Sequence, residues 1–144
     1  MAYSGKYRVK NYRKYRGDPT QVIYRSLWEK KFMDYCDKTK NILEWSSEEI
    51  VIPYKDPVSG RWRRYFPDFY MKVKEADGTI QSYIVEVKPK KQIEGPKRQQ
   101  RKTKAYITEV ATYATNTAKW KAARGYCRDR LWEFKLITEV ELQI

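Results

Sequence analysis

Two β-rich runs occupy the middle of the chain, Arg63 to Val73 and Ile80 to Lys88, and the turn dipeptide Asp77-Gly78 lies between them. Asp-Gly supplies the positive-φ positions of a tight two-residue hairpin, and β-branched and aromatic residues on either side favour extended backbone. The chain is therefore expected to carry antiparallel strands at its centre. A further strand near 48 to 54 has Ile50, Ile52 and Tyr54 alternating with Val51 and Pro53. It closes at the turn formers Asp56-Pro57-Val58-Ser59-Gly60 and makes the three strands a meander.

Helical signals flank these strands. Ser26-x-x-Glu29 is a capping box that opens an amphipathic helix to about Asp37, with Leu27, Trp28, Phe32, Tyr35 and Cys36 as its apolar positions. After the strands, Pro89 and Gly95-Pro96 predict a mobile basic loop over 89 to 100, followed by a helix of about 101 to 115. Thr117 is placed to cap another helical stretch carrying Trp120, Ala123 and Cys127, and Leu131 to Thr138 reads as a last strand. The expected order is αβββαβ, a mixed α/β domain over 21–144. A basic, Tyr-rich arm over 1–20 precedes it and ends at the turn signal Arg16-Gly17-Asp18-Pro19.

The chain's 144 residues, of which 41% are hydrophobic, make one folded domain in spite of a net charge of +13. Residues 1 to 16 hold six cations (Lys6, Arg8, Lys10, Arg13, Lys14, Arg16) and no acid. Residues 88 to 104 hold eight, among them Lys90, Lys91, Lys97, Arg98, Arg101 and Lys102, against the single Glu94. The other 111 residues carry 17 charges of each sign and sum to zero. Excess charge confined to two segments is a polyanion footprint, since Lys and Arg gain affinity by releasing counterions from phosphates. The expected partner is nucleic acid, and Tyr3, Tyr7, Tyr12 and Tyr15 add rings suited to stacking on bases. A solvated arm that only raises solubility is the plainer reading of the first segment.

The sequence contains no histidine, so imidazole triads and His-ligated zinc are excluded. Cys36 and Cys127 are too few for a disulfide framework or a zinc site, and read as free thiols in a reducing cytoplasm. No apolar run approaches the ~18 residues of a membrane span, and no export signal precedes the domain.

Any catalysis must then come from carboxylates, lysines, tyrosines or a metal. In Ile84-Val85-Glu86-Val87-Lys88, strand alternation puts Glu86 and Lys88 on one face, ~7 Å apart by Cα. On the preceding strand, Tyr65-Phe66-Pro67-Asp68-Phe69-Tyr70 sets an acid among aromatics. If the strands pair, Asp68 lies beside Glu86, and two like charges at close range require a cation. Hard oxygen ligands point to Mg²⁺, with Mn²⁺ as a substitute. Ordinary ion pairs of these acids with Lys88, Arg63 or Arg64 are the alternative. Glu29 has two readings, a helix cap alone or an assistant to the metal site.

Glu29, Pro67-Asp68 and Glu86-Val87-Lys88 together resemble the pattern of the PD-(D/E)xK nuclease superfamily. Further segments are similar to the head-completion nucleases of T-even-type tailed bacteriophages: Lys14-Tyr15-Arg16-Gly17-Asp18-Pro19, Val51-Ile52-Pro53-Tyr54, Lys88-Pro89-Lys90-Lys91 and Asn116-Thr117-Ala118-Lys119-Trp120. The resemblance implies a restriction-endonuclease-like αβββαβ core with a central mixed sheet flanked by helices. It implies a DNA nuclease, acting on duplex DNA when the filled head is readied for its tail, with head or neck proteins as partners. The expected location is the host cytoplasm during assembly, or the virion. In this reading Asp68, Glu86 and the Val87 carbonyl hold one or two Mg²⁺ ions, and Lys88 binds the attacking water and the scissile phosphate. The alternative is a non-catalytic DNA-binding adaptor between head and tail built on the same scaffold.

Overall fold

A computed structural model of the chain describes residues 3–144. Its elements are β1 (Gly5–Lys6), β2 (Ile23–Tyr24), α1 (Leu27–Lys38), β3 (Ile42–Ser47), β4 (Ile52–Lys55), β5 (Trp62–Tyr65), β6 (Phe69–Lys74), β7 (Ile80–Val87), α2 (Lys90–Glu94), α3 (Lys104–Asp129), β8 (Glu133–Ile137) and α4 (Glu139–Leu142). The central sheet has the order β3-β6-β7-β8. Its first three strands are antiparallel, and β8 runs parallel to β7. A parallel neighbour needs a long crossover, which α3 provides. The result is the mixed α/β sheet with flanking helices that the sequence implied.

The sheet separates two apolar layers. On one side Phe32, Met33 and Cys36 of α1 pack with Trp45, Phe69, Met71, Val85 and Val87. On the other, Trp120, Ala123 and Cys127 of α3 meet Ile84 and the inner residues Ile52, Tyr54 and Tyr65 of a separate β4–β5 ribbon. Alternation along β7 therefore turns Val85 and Val87 toward α1, and Ile84 and Glu86 toward α3 and the ribbon.

Several boundaries differ from the sequence reading. The strand expected near 48–54 is β4, which starts only at Ile52 and pairs with β5 in the ribbon, and the first strand of the central meander is β3 instead. Ile42, Leu43 and Trp45 do not alternate cleanly, and residues 48–51 form a connector in which Glu48 takes φ 54°. The run from Arg63 to Val73 is two strands, because Pro67 has no amide for a ladder; the chain leaves the ribbon at Tyr65 and joins the sheet at Phe69. The Asp77-Gly78 turn belongs to a five-residue connection, 75–79, held by Glu75 N–H donating to Thr79 O at 2.7 Å. The segment 89–100 contains the short helix α2.

The expected pair of helices after residue 100 is one helix of 26 residues, α3. Thr117 does not cap it: its hydroxyl donates back to the Tyr113 carbonyl at 2.8 Å, which leaves the helix unbroken. Thr103 is the N-cap, accepting from the Tyr106 amide.

The basic N-terminal segment is packed rather than free. Tyr7, Val9, Tyr15 and Val22 are buried in the α1-side core. Lys14 points its ammonium at the C-terminal end of α1, donating to the carbonyls of Cys36 (2.7 Å), Asp37 (3.1 Å) and Thr39 (2.7 Å). Those orphan helix-end acceptors give Lys14 a structural task.

Candidate active site

The loop that breaks the Arg63–Val73 run positions Asp68. Pro67 is buried, and Asp68 follows it at the mouth of β6, opposite the end of β7. One Asp68 carboxylate oxygen, Oδ2, accepts from the Val87 amide at 2.8 Å. Glu86, only 6% exposed, accepts through Oε1 from the Tyr65 hydroxyl at 2.8 Å and from the Asp68 amide at 3.2 Å. Its other oxygen, Oε2, faces the Lys88 ammonium at 3.7 Å. Asp68, Glu86 and Lys88 thus meet at one point, and the strand alternation read from 84–88 is what brings Glu86 and Lys88 to the same face.

Glu29 joins them electrostatically from α1. Ser26 Oγ accepts from the Glu29 amide at 3.2 Å, as a capping residue should. The Glu29 carboxylate accepts instead from the Arg25 amide at 3.3 Å, one residue before the cap, and its charge acts on Asp68. Arg25 in turn pairs with Glu48.

Burial, and next the charge of Glu86, hold the Asp68 carboxyl well above the ordinary carboxylate range, against the opposing pull of the Val87 amide and Lys88. Burial also raises Glu86, opposed by the Tyr65 hydroxyl, Lys88, the Asp68 amide and Lys119. Glu29 is raised for the same first reason, and the charges of Glu48 and Glu86 add to it. When both acids are ionised, the single Lys88 ammonium, 3.7 Å from Glu86, leaves one negative charge unmatched.

That imbalance suits a hard divalent cation. Among the described residues no three acidic or thiol side chains close around a common point. Asp68 and Glu86 would supply the acidic donors, and two carboxylates with the remaining positions left to water are the way Mg²⁺ is commonly held. The residues present fit such an ion.

Sequence reasoning missed several participants. Tyr65, on the ribbon, donates to Glu86 and is held protonated by burial and by that carboxylate. Lys119, which entered only as part of a segment of resemblance, stands over the rings of Tyr54 (5.9 Å) and Tyr65 (5.7 Å) and acts on Glu86. Its signal was its place in the stripe Asn116, Trp120, Ala123, Cys127, where helical spacing puts it beside the buried face.

The basic residues divide by position. Lys90 and Lys91 open α2 directly after Lys88-Pro89 and are exposed, as are Lys97, Arg98, Arg101 and Lys102. Lys6, Arg8, Lys10, Arg13 and Arg16 are exposed too. The Lys10 amide, however, is fixed to Asp37, eight residues along α1 from Glu29 and so ~12 Å along the helix axis. No described helix is long and apolar enough to cross a membrane.

No solved structure matches the chain. The family of TnsA-like endonuclease N-terminal domains matches residues 39–139, which contain Asp68, Glu86 and Lys88. The head completion nuclease of Enterobacteria phage T4 is 43% identical over 143 residues, covering 96% of this chain and 93% of that protein. With its fold, its paired strand-end acids and both of these matches, the chain belongs to the head-completion nucleases and carries their TnsA-like endonuclease domain.

Proposed function

We propose that the chain is a divalent-cation-dependent deoxyribonuclease that hydrolyses phosphodiester bonds in DNA during phage head completion, in the host cytoplasm before head and tail join. The observation that carries this is the convergence of Asp68 and Glu86 on adjacent strands with Lys88 3.7 Å from Glu86. Asp68, Glu86 and the Val87 carbonyl would hold Mg²⁺, or Mn²⁺ in its place, and such an ion would supply Lewis acidity to a phosphate oxygen and make water a better nucleophile. Lys88 holds the attacking water and a nonbridging phosphate oxygen. Tyr65 and the Asp68 amide fix the Glu86 carboxylate, so its geometry needs no rearrangement when charge develops on phosphorus. Lys119 adds positive potential from α3. The exposed cations of α2 and the 97–102 segment, together with those of the first 16 residues other than Lys14, hold duplex phosphates on either side.

Incubation with linear and covalently closed circular duplex DNA in Mg²⁺, Mn²⁺ or EDTA tests this, with Lys88→Ala alongside. Metal-dependent cutting, reduced at least ~10²-fold in the variant, is expected. DNA that is retarded on a gel and uncut in every metal would sink the nuclease reading and leave the adaptor role.

A further inference from the structure

The outer face of the β4–β5 ribbon is used by nothing described so far. Alternation along β5 sends Tyr65 inward to Glu86 and leaves Trp62 and Arg64 pointing outward. Trp62 is 72% exposed, the most exposed aromatic side chain among the described residues. Phe66, 41% exposed, follows, with the Arg64 guanidinium 5.7 Å from its ring. Lys55 lies opposite Trp62 in the ladder. An open groove of about 630 Å³ runs here, lined by Pro53, Tyr54, Trp62, Arg64, Phe66 and Lys119.

Three features bear on what occupies it. Residues 51–66 hold Lys55, Arg61, Arg63 and Arg64 against Asp56, which is itself paired with Arg63 at 3.3 Å. The ribbon is also braced. Asp56 accepts from the Val58 amide, the Ser59 hydroxyl and the Thr115 hydroxyl of α3, at 2.9–3.1 Å. Ile52, Tyr54 and Tyr65 pack into the α3-side core. Finally, Trp62, Arg64, Phe66 and Asp68 recur at every second residue, so a ring-cation-ring series leads along the chain to the acid. A rigid cationic surface with exposed rings is suited to nucleotides whose bases are free to stack. Bases inside a duplex are stacked on one another and offer no such face, which commits the occupant to an unpaired strand.

We propose that the β4–β5 ribbon is a stacking platform for an unpaired DNA strand, with Trp62 and Phe66 taking bases and Arg64, Lys55 and Lys119 taking phosphates. It leads that strand to Asp68 and Glu86, so the substrate is DNA with a frayed, tailed or gapped segment. This rests on the nuclease reading and names its substrate class.

Binding is measured in EDTA, where nothing is cut, by anisotropy of a labelled single-stranded oligonucleotide and of a blunt duplex, and by quenching of tryptophan emission. The proteins are wild type, Trp62→Ala, Trp62→Phe and Arg64→Gln, each checked by thermal melting. Trp62→Ala should bind the single strand roughly tenfold more weakly, the loss of one stacked base. Trp62→Phe should recover most of that affinity, and Arg64→Gln should weaken binding in the same direction. The loss on the blunt duplex should be at least threefold smaller, and strand-induced quenching should vanish in both Trp62 variants. Equal losses on the two substrates, or unchanged single-strand affinity in Trp62→Ala, would overturn the platform. If wild type cuts DNA in Mg²⁺ without any Trp62 dependence of binding, the ribbon idea fails alone. If nothing is cut while that dependence persists, the nuclease reading fails alone.

Discussion

Asp37 and the Asp68–Glu86 pair, in which Glu86 is buried and Asp68 half-buried, lie near opposite ends of α1, and they are equipped in opposite ways. Asp37 is 0% exposed and accepts from the Lys10 amide at 2.9 Å and the Asn11 amide at 3.3 Å, with the Lys14 ammonium beside its carbonyl. Its charge is matched by donors that the chain itself delivers. Asp68 and Glu86 have amides and a hydroxyl too, but they face each other, and Lys88 stands against two carboxylates. A satisfied buried acid ties chain segments together. An under-satisfied pair costs stability and is kept where an exogenous cation completes it.

The sharpest way to break this comparison is to neutralise each acid in turn. Asp68→Asn should reduce cutting at least ~10²-fold and raise the melting temperature measured without metal, because it removes a like charge from Glu86. Asp37→Ala should do the reverse. Two part-buried amides lose their acceptor at about 1–2 kcal/mol each, so a destabilisation of about 2–4 kcal/mol is expected while the cutting rate per folded molecule holds. Denaturant melts beside plasmid cleavage decide it; an Asp37→Ala protein as stable as wild type would remove the distinction.

Acidity gives a second handle. The carboxyls of Asp68 and Glu86 are raised in the folded state, so the native protein holds their protons more tightly than the unfolded chain does. The stability they contribute is fully present below the unfolded value near 4, and it is lost as pH rises through the raised folded values. Melting in EDTA should therefore show a falling contribution from this site as pH climbs toward neutrality, weakened in Asp68→Asn. Mg²⁺ should raise the melting temperature at neutral pH and do little in acid, where protons already occupy the pair. A Mg²⁺ effect independent of pH, or retained in Asp68→Asn, would place the ion elsewhere.

The acids of the candidate site were legible because strand alternation is local: Glu86 and Lys88 share a face whatever lies around them, and Pro67 marks where Asp68 enters the sheet. Ser26 was legible as an N-cap for the same reason. Long-range pairing was not. Nothing within Ile42–Ser47 says that it pairs with Phe69–Val73, and nothing in Trp62–Tyr65 says that it leaves the main sheet for a ribbon. No role for Lys119 was legible, because a lysine's worth depends on the rings and the carboxylate that tertiary packing brings beneath it. The N-terminal cations looked like their counterparts in 88–104, although alternating Tyr7 and Val9 already marked the first segment as one with a side to bury.

That last pair of segments gives the smallest effect and the finest contrast. Lys14 is held by three carbonyls at the end of α1, whereas Lys91 is exposed and the Lys90 ammonium faces Glu94 at 3.9 Å on an exposed helix. Lys14→Met should lower stability by about 1–3 kcal/mol, since buried acceptors lose a charged donor, and should leave the salt dependence of DNA binding unchanged. Replacing Lys90 and Lys91 together by alanine should leave stability within about 0.5 kcal/mol and lower the slope of log affinity against log salt by roughly two, one counterion per phosphate contact. Both variants carry less positive charge, so a general charge effect predicts flatter salt slopes in each. Only a division of labour, one segment clamped into the fold and the other laid against phosphates, separates stability from slope.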